Sequence, residues 1–205
     1  MKNFKLLTAM VVAVFAFTAV SAQKIKVQSG DPGKVAGEKV FNVEYDYEGQ
    51  AVGKFKTQDE YIAEKVPAYN EKEPGRGDTW KESWYNDQKE KFPAKFEELM
   101  NDRLAKSGRS IGQNNSDAKY TMVLKTTFTE PGFNIGITRR PAMINVVLTI
   151  VETANRDNVI AVISSDGNPG QDFGGYDFDT GYRISEAYAK CGKELANFLL
   201  KKYWK

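Results

Sequence analysis

The segment from residue 166 to residue 181 holds the densest group of side chains that can do chemistry. Four aspartates alternate there with glycines, and carboxylate oxygens are the ligands that calcium prefers. The candidate calcium ligands are Asp166, Asp172, Asp177 and Asp179. Their spacing differs from that of an EF-hand loop. The alternative is that aspartate and glycine build turns, with Asp179 or Thr180 as the cap of a following helix.

The same carboxylates suit glycan chemistry, in which two acids face each other across a sugar bond. Trp80 and Trp84 add aromatic faces on which a sugar or peptide can stack. They are four residues apart, so they also fit one buried face of a helix. One hypothesis is therefore a glycan- or calcium-binding protein or a carboxylate-based hydrolase.

The composition excludes several other chemistries. The chain has no histidine, which excludes Ser-His-Asp and Cys-His catalysis and every zinc site with an imidazole ligand. The one cysteine, Cys191, belongs to an apolar helical stripe, where a thiol packs as a small hydrophobic group. The two glycine-rich phosphate-binding motifs, G-x-x-x-x-G-K and G-x-G-x-x-G, do not occur in the sequence. We therefore predict no cofactor and no catalytic residue.

The segment from Pro131 to Pro141 is a candidate binding loop. It joins two predicted strands, is long for a hairpin, and long ordered loops are often functional. Its candidate contact residues are Phe133, Ile135, Ile137, Arg139 and Arg140. They suit a protein partner or ligand, or else they fold back over an open sheet face. A second hypothesis is therefore a non-enzymatic protein-binding or assembly module.

The elements that must position these residues follow from hydrophobic periodicity. Alternating apolar residues predict strands, and apolar residues three and four apart predict helices. The predicted strands span residues 39–47, 118–128, 142–151 and 159–164, with the last two as an antiparallel hairpin. Predicted helices span residues 57–65, 79–108 with a break near Pro93, and 182–202. The first two begin at capping boxes, Thr57–Glu60 and Thr79–Glu82.

This order predicts an α+β domain over residues 23–205. We expect a two-layer sandwich, with a mainly antiparallel sheet of about four strands and long helices packed on one face.

Residues 1–22 have the pattern of a cleavable signal peptide. Two lysines precede an uncharged apolar run, and Val20-Ser21-Ala22 supplies the small residues at a cleavage site. Cleavage between Ala22 and Gln23 predicts a periplasmic or secreted protein. Gln23 stands where a lipoprotein has its cysteine, so we expect no membrane anchor after cleavage.

The charge balance bears on partners. The signal peptide contains two of the 29 basic residues and none of the 27 acidic ones, so the remainder is formally neutral. A nucleic-acid binder usually has a basic excess on one face. We therefore expect no nucleic acid, and the predicted partner is another envelope protein.

Several segments together resemble the short exported Bacteroidetes proteins of unknown function. These are the signal peptide, the strand KVFNVEYDY, the helix entry GRGDTW, the hairpin AMINVVLTIVE to NVIAVISS and the helix GYRISEAYAKCGKELANFL. The element order is also similar to the N-terminal domain of the translocation protein TolB and to related outer-membrane assembly lipoproteins. The resemblance implies a binding or assembly role in the cell envelope and carries over no catalytic motif. The missing lipidated cysteine departs from the lipoprotein members.

Overall fold

The computed structural model describes residues 23–115, 117–170 and 179–205. The predicted signal peptide and two of the predicted calcium ligands, Asp172 and Asp177, lie outside the described residues. Within the described ranges, no helix is long and apolar enough to span a membrane.

Nine strands and four α-helices follow one another along the described chain. The strands are β1 (Lys24–Gly30), β2 (Val40–Asp46), β3 (Ala51–Val52), β4 (Ser110–Gly112), β5 (Tyr120–Glu130), β6 (Phe133–Asn134), β7 (Arg139–Arg140), β8 (Ala142–Glu152) and β9 (Val159–Gly170). The helices are α1 (Gln58–Asn70), α2 (Arg76–Asn86), α3 (Phe92–Leu104) and α4 (Thr180–Lys202), and a π-helical turn at Asp87–Lys91 joins α2 to α3.

The α+β class is confirmed, but the sheet is larger than predicted and mixed. It has seven strands rather than about four, in the order β1-β9-β8-β5-β2-β4, with β3 also pairing with β5. Strands β1, β9, β8 and β5 pair antiparallel, whereas β2 pairs parallel with both β4 and β5. The parallel pairs arise because α1, α2 and α3 connect β2 to β5 as a crossover.

The predicted strands and the β8–β9 hairpin are confirmed, except that β9 continues to Gly170 instead of ending at residue 164. Strand β8 lies between β5 and β9, as its apolar sequence on both faces predicts. Its alternate side chains are fully buried, and the residues between them are mostly half-buried. The buried set is Ala142, Ile144, Val146, Leu148 and Ile150.

Helices α3 and α4 form the main helix pair beside this sheet. Gly192 of α4 lies against the backbone carbonyl of Phe96 in α3, and a side chain at position 192 would collide with it. Pro93 stands at the start of α3, directly after the π-helical turn, so the predicted break is confirmed.

The prediction that a capping box at Thr79–Glu82 starts the second helix is wrong. Helix α2 begins at Arg76 rather than at Thr79, because Gly75 in the left-handed conformation starts the turn earlier. The Thr79 hydroxyl donates to the Gly75 carbonyl, and the Asn70 side chain of α1 accepts from the Gly77 amide instead. The first box is confirmed, since Thr57 accepts from the amide of Glu60.

Candidate functional site

One end of the molecule gathers most of the predicted site residues. Strands β6 and β7 form a small antiparallel hairpin inserted between β5 and β8. The first pair of the β8–β9 ladder joins Ala142 to Gly170. Gly170 lies against the backbone of Arg183 in the first turns of α4, too close for any side chain. The hairpin therefore emerges beside the N-terminus of α4.

The root of the β6–β7 hairpin is held by Arg183. This residue is buried, and its guanidinium donates to the carbonyls of Pro131 and Gly132, each at 3.3 Å. It also donates to the Thr180 hydroxyl at 3.0 Å. Hydrogen bonds from a charged donor to buried acceptors are stronger than neutral ones. The base of the hairpin is thus held in place against α4 and the sheet.

A second set of contacts ties β7 to the end of β5 at the base of the hairpin. The Arg140 guanidinium lies 3.3 Å from the Glu130 carboxylate, which also accepts from the Gly132 amide at 3.1 Å. Gly132 has a φ of 62° and lies against the Arg140 carbonyl, so only glycine fits there. Arg140 therefore stabilises the base of the hairpin, although both it and Arg139 are exposed.

The tip of the hairpin presents apolar side chains to solvent. Phe133 is 43%, Ile135 64% and Ile137 95% exposed. The turn is ordered by hydrogen bonds, because the Ile135 amide donates to the Thr138 carbonyl and the Gly136 amide donates to Asn134. These side chains do not fold back over the sheet. They form a candidate contact surface, which we call the hairpin tip.

An aromatic cluster lies between α1 and α2. The Tyr61 ring packs against Trp80 and Trp84, with ring centroids 5.6 and 5.2 Å away, and Tyr69 packs against Trp80 at 5.5 Å. Trp84 is buried, and its indole N–H donates to the Gln58 side chain at 2.8 Å. Trp84 is therefore mainly a core residue, whereas Trp80 is only half-buried.

The π-helical turn places a carboxylate next to this cluster. Asp87 is largely buried, its carboxylate lies 2.6 Å from the Lys91 ammonium, and Asp179 lies 4.0 Å from the same ammonium. Burial raises the pKa of the Asp87 carboxyl above its ordinary value of 3.8, and Asp179 adds to the rise while Lys91 opposes it. π-Helical turns inside helices occur frequently at functional sites.

Replacing Lys91 with methionine is expected to raise the pKa of Asp87 further, because the neighbouring cation that opposes the rise is removed. The folded state then binds this proton more tightly than the unfolded chain does. The variant's free energy of unfolding, relative to wild type, should fall as the pH rises from the wild-type Asp87 pKa, which is itself above 3.8, through the higher pKa of the variant. An NMR titration of the Asp87 carboxyl measures its pKa. Lys89→Met, on the same turn, is the control. An unchanged Asp87 pKa in Lys91→Met would contradict the ion pair between Lys91 and Asp87.

The predicted calcium ligands that the structure describes have separate roles. Asp166 is exposed and pairs in register with Lys24 on β1. Asp179 caps α4, accepting from the Tyr182 amide at 2.6 Å, as one of the alternatives predicted. Among the described residues, no three carboxylate or thiol groups are close enough to hold a metal ion.

Two residues of this end of the molecule were missed by sequence reasoning. Asp87 gives no local signal, because an aspartate in an amphipathic helix is ordinary. Arg183 does give one, since it lies four residues before Ala187 and eight before Cys191 and so occupies their buried face. Cys191 itself is buried, and desolvation raises the pKa of its thiol far above the ordinary value. It packs as predicted.

Comparisons with known proteins leave the family open. No protein-family model matches the chain, and no curated protein matches it. Among solved structures, the PelC dodecamer from Paraburkholderia phytofirmans is 13% identical over 85% of this chain and 97% of that chain, with a TM-score of 0.39. A Xanthomonas campestris protein of the family model DUF330 is 9% identical over 80% of this chain and 84% of that chain, with a TM-score of 0.33.

Proposed function

We propose that this protein is an exported, non-enzymatic module of the cell envelope that binds another protein through the hairpin tip. The observation that carries the proposal is the exposure of Phe133, Ile135 and Ile137 on a short hairpin. Cleavage after Ala22 delivers the domain to the periplasm or the exterior.

The argument rests on the contrast between the tip and its root. Burial of exposed apolar side chains against a partner contributes about 25 cal/mol of binding free energy for each Å² of apolar surface removed from water. Loosely attached loops lose much of this gain to ordering entropy on binding. Here the root is already ordered by Arg183 and by the Glu130–Arg140 ion pair. A preorganised apolar tip flanked by the exposed charge of Arg139 has the composition of an interface core with a polar rim.

The combined variant Phe133→Ser, Ile135→Ser and Ile137→Ser is expected to lose partner binding while keeping the wild-type melting temperature. Removing three apolar side chains from the centre of an interface is expected to weaken the affinity about a hundredfold or more. The measurement is capture of proteins from the native envelope by the tagged chain, residues 23–205, followed by affinity determination with the captured partner.

A matched control uses the other exposed large hydrophobic residues. The variant Val40→Ser, Tyr85→Ser and Val159→Ser removes side chains that are 40% to 48% exposed, similar to Phe133. It should capture the same partner as wild type. A photo-reactive phenylalanine analogue at position 137 should cross-link to that partner, and the same analogue at position 159 should not. Equal capture by both variants, or a partner that cross-links only from position 159, would contradict the proposal.

A further inference from the structure

A cavity of about 170 Å³ opens between α2 and the first turn of α4, separate from the hairpin tip. Tyr69, Trp80 and Trp84 contribute to one part of its lining, and Asp87, Asp179 and Thr180 contribute to another. It is comparable in size to a single sugar ring. The proposed protein-binding function does not use it.

The aromatic part of the lining is held in place from behind. Trp84 is tied to Gln58, whose side-chain oxygen also accepts from Gln50 and Gln88. Trp80 packs against Trp84, with ring centroids 5.8 Å apart, and remains half-buried at the cavity. Because its neighbours are fixed, Trp80 offers an ordered aromatic surface without further loss of side-chain entropy.

The polar part of the lining lies beside a glycine. One carboxylate oxygen of Asp87 lies directly against Gly181, and a Cβ at position 181 would displace the Asp87 side chain from this position. The other oxygen contacts Lys91, which also lies near Asp179. The hydroxyls of Ser83 and Thr180 border the same space. Acceptors and donors thus stand together opposite an aromatic ring.

The charged side chains at the cavity indicate which class of ligand fits it. A cationic ligand would compete with the Lys91 ammonium, which already contacts both carboxylates. An anionic ligand would meet two carboxylates. A neutral ligand with hydroxyl groups and one apolar face fits both parts of the lining, since its hydroxyls donate to Asp87 and its C–H face packs on Trp80. We propose that this cavity binds a neutral sugar unit.

The test is an NMR titration of the chain, residues 23–205, with glucose, galactose and N-acetylglucosamine in turn. Tetramethylammonium and sulfate serve as the cationic and anionic probes. At least one sugar is expected to give saturable shifts at the Asp87 and Gly181 amides and at the Trp80 indole. Charged probes that shift these signals more strongly than every sugar, or sugars that leave them unshifted, would overturn the proposal.

Two variants separate recognition from stability. Asp87→Asn keeps the size of the side chain and is expected to weaken sugar binding about tenfold, the value of a lost hydrogen bond to a charged group. Tyr85→Ala, two residues earlier in the last turn of α2 but facing a different groove, is the control and should bind as wild type. Equal sugar affinity in both variants would overturn the proposal. Because neither variant touches the hairpin tip, this result is independent of the protein-binding test.

Discussion

Replacing Trp204 with alanine should lower the free energy of unfolding by about 3 to 5 kcal/mol, the usual range for removing a buried tryptophan. The side chain is 2% exposed and stacks on Phe41 of β2, with ring centroids 5.1 Å apart and planes within 5°. Its indole N–H donates to the Pro32 carbonyl at 2.9 Å. The alanine variant loses the buried area, the stacking and this hydrogen bond together. Urea unfolding measures the difference.

Two further variants test this explanation. Trp204→Phe keeps an aromatic ring over Phe41 but leaves the Pro32 carbonyl without its donor, so about 1 to 3 kcal/mol should be lost. Lys205→Ala, at an exposed neighbouring position, should stay within about 0.5 kcal/mol of wild type. If Trp204→Ala unfolded at the same urea concentration as Lys205→Ala, the packing of this tryptophan against β2 would be contradicted.

The burial of Trp204 could not be predicted from the sequence. The long helix up to residue 202 was predicted, because its apolar stripe recurs at helical spacing over many turns. The following residues have no periodicity to extend. The burial of Trp204 depends on contacts with Phe41 and Pro32, more than 160 residues earlier in the chain. Local pattern has no access to such contacts.

The size of the sheet was missed for a similar reason. Alternation within β2 predicts a strand equally well for parallel and antiparallel neighbours, so the parallel pairing with β5 could not be predicted. Strand β1 alternates only at its start, and its partner is β9, which continues through Gly170 rather than ending at Ser164 as predicted. A strand's length and its partner are set by tertiary contacts as much as by its own residues.

The candidate contact residues were predictable in part. Phe133, Ile135 and Ile137 stand out in the sequence as apolar residues at every second position of a long connection. Their exposure could not be predicted, because alternation normally indicates one buried face. The aromatic and acidic lining of the cavity is harder still to predict, since Asp87 and Asp179 come together at Lys91 only after the π-helical turn and the N-terminus of α4 are placed side by side.

Replacing Gly192 with alanine should destabilise the protein, although alanine favours a helix by about 1 kcal/mol over glycine. The gain is outweighed because the new Cβ would collide with the Phe96 carbonyl and press on the Met100 side chain. A backbone carbonyl inside α3 cannot move aside without shifting the helix, and overpacking of this kind costs about 1 to 3 kcal/mol or more. We expect a net loss of about 1 to 2 kcal/mol, measured by urea unfolding.

The sign of this effect distinguishes packing from propensity. Lys190 is exposed on the same helix, two residues before Gly192, and Lys190→Ala should change stability by no more than about 0.5 kcal/mol. Gly192→Val should be worse than Gly192→Ala, because its added methyl groups enter the same contact. A stabilised Gly192→Ala variant would mean that α3 and α4 are further apart than described. An increasing loss from alanine to valine would show that the glycine is retained for close helix packing, despite its cost to the isolated helix.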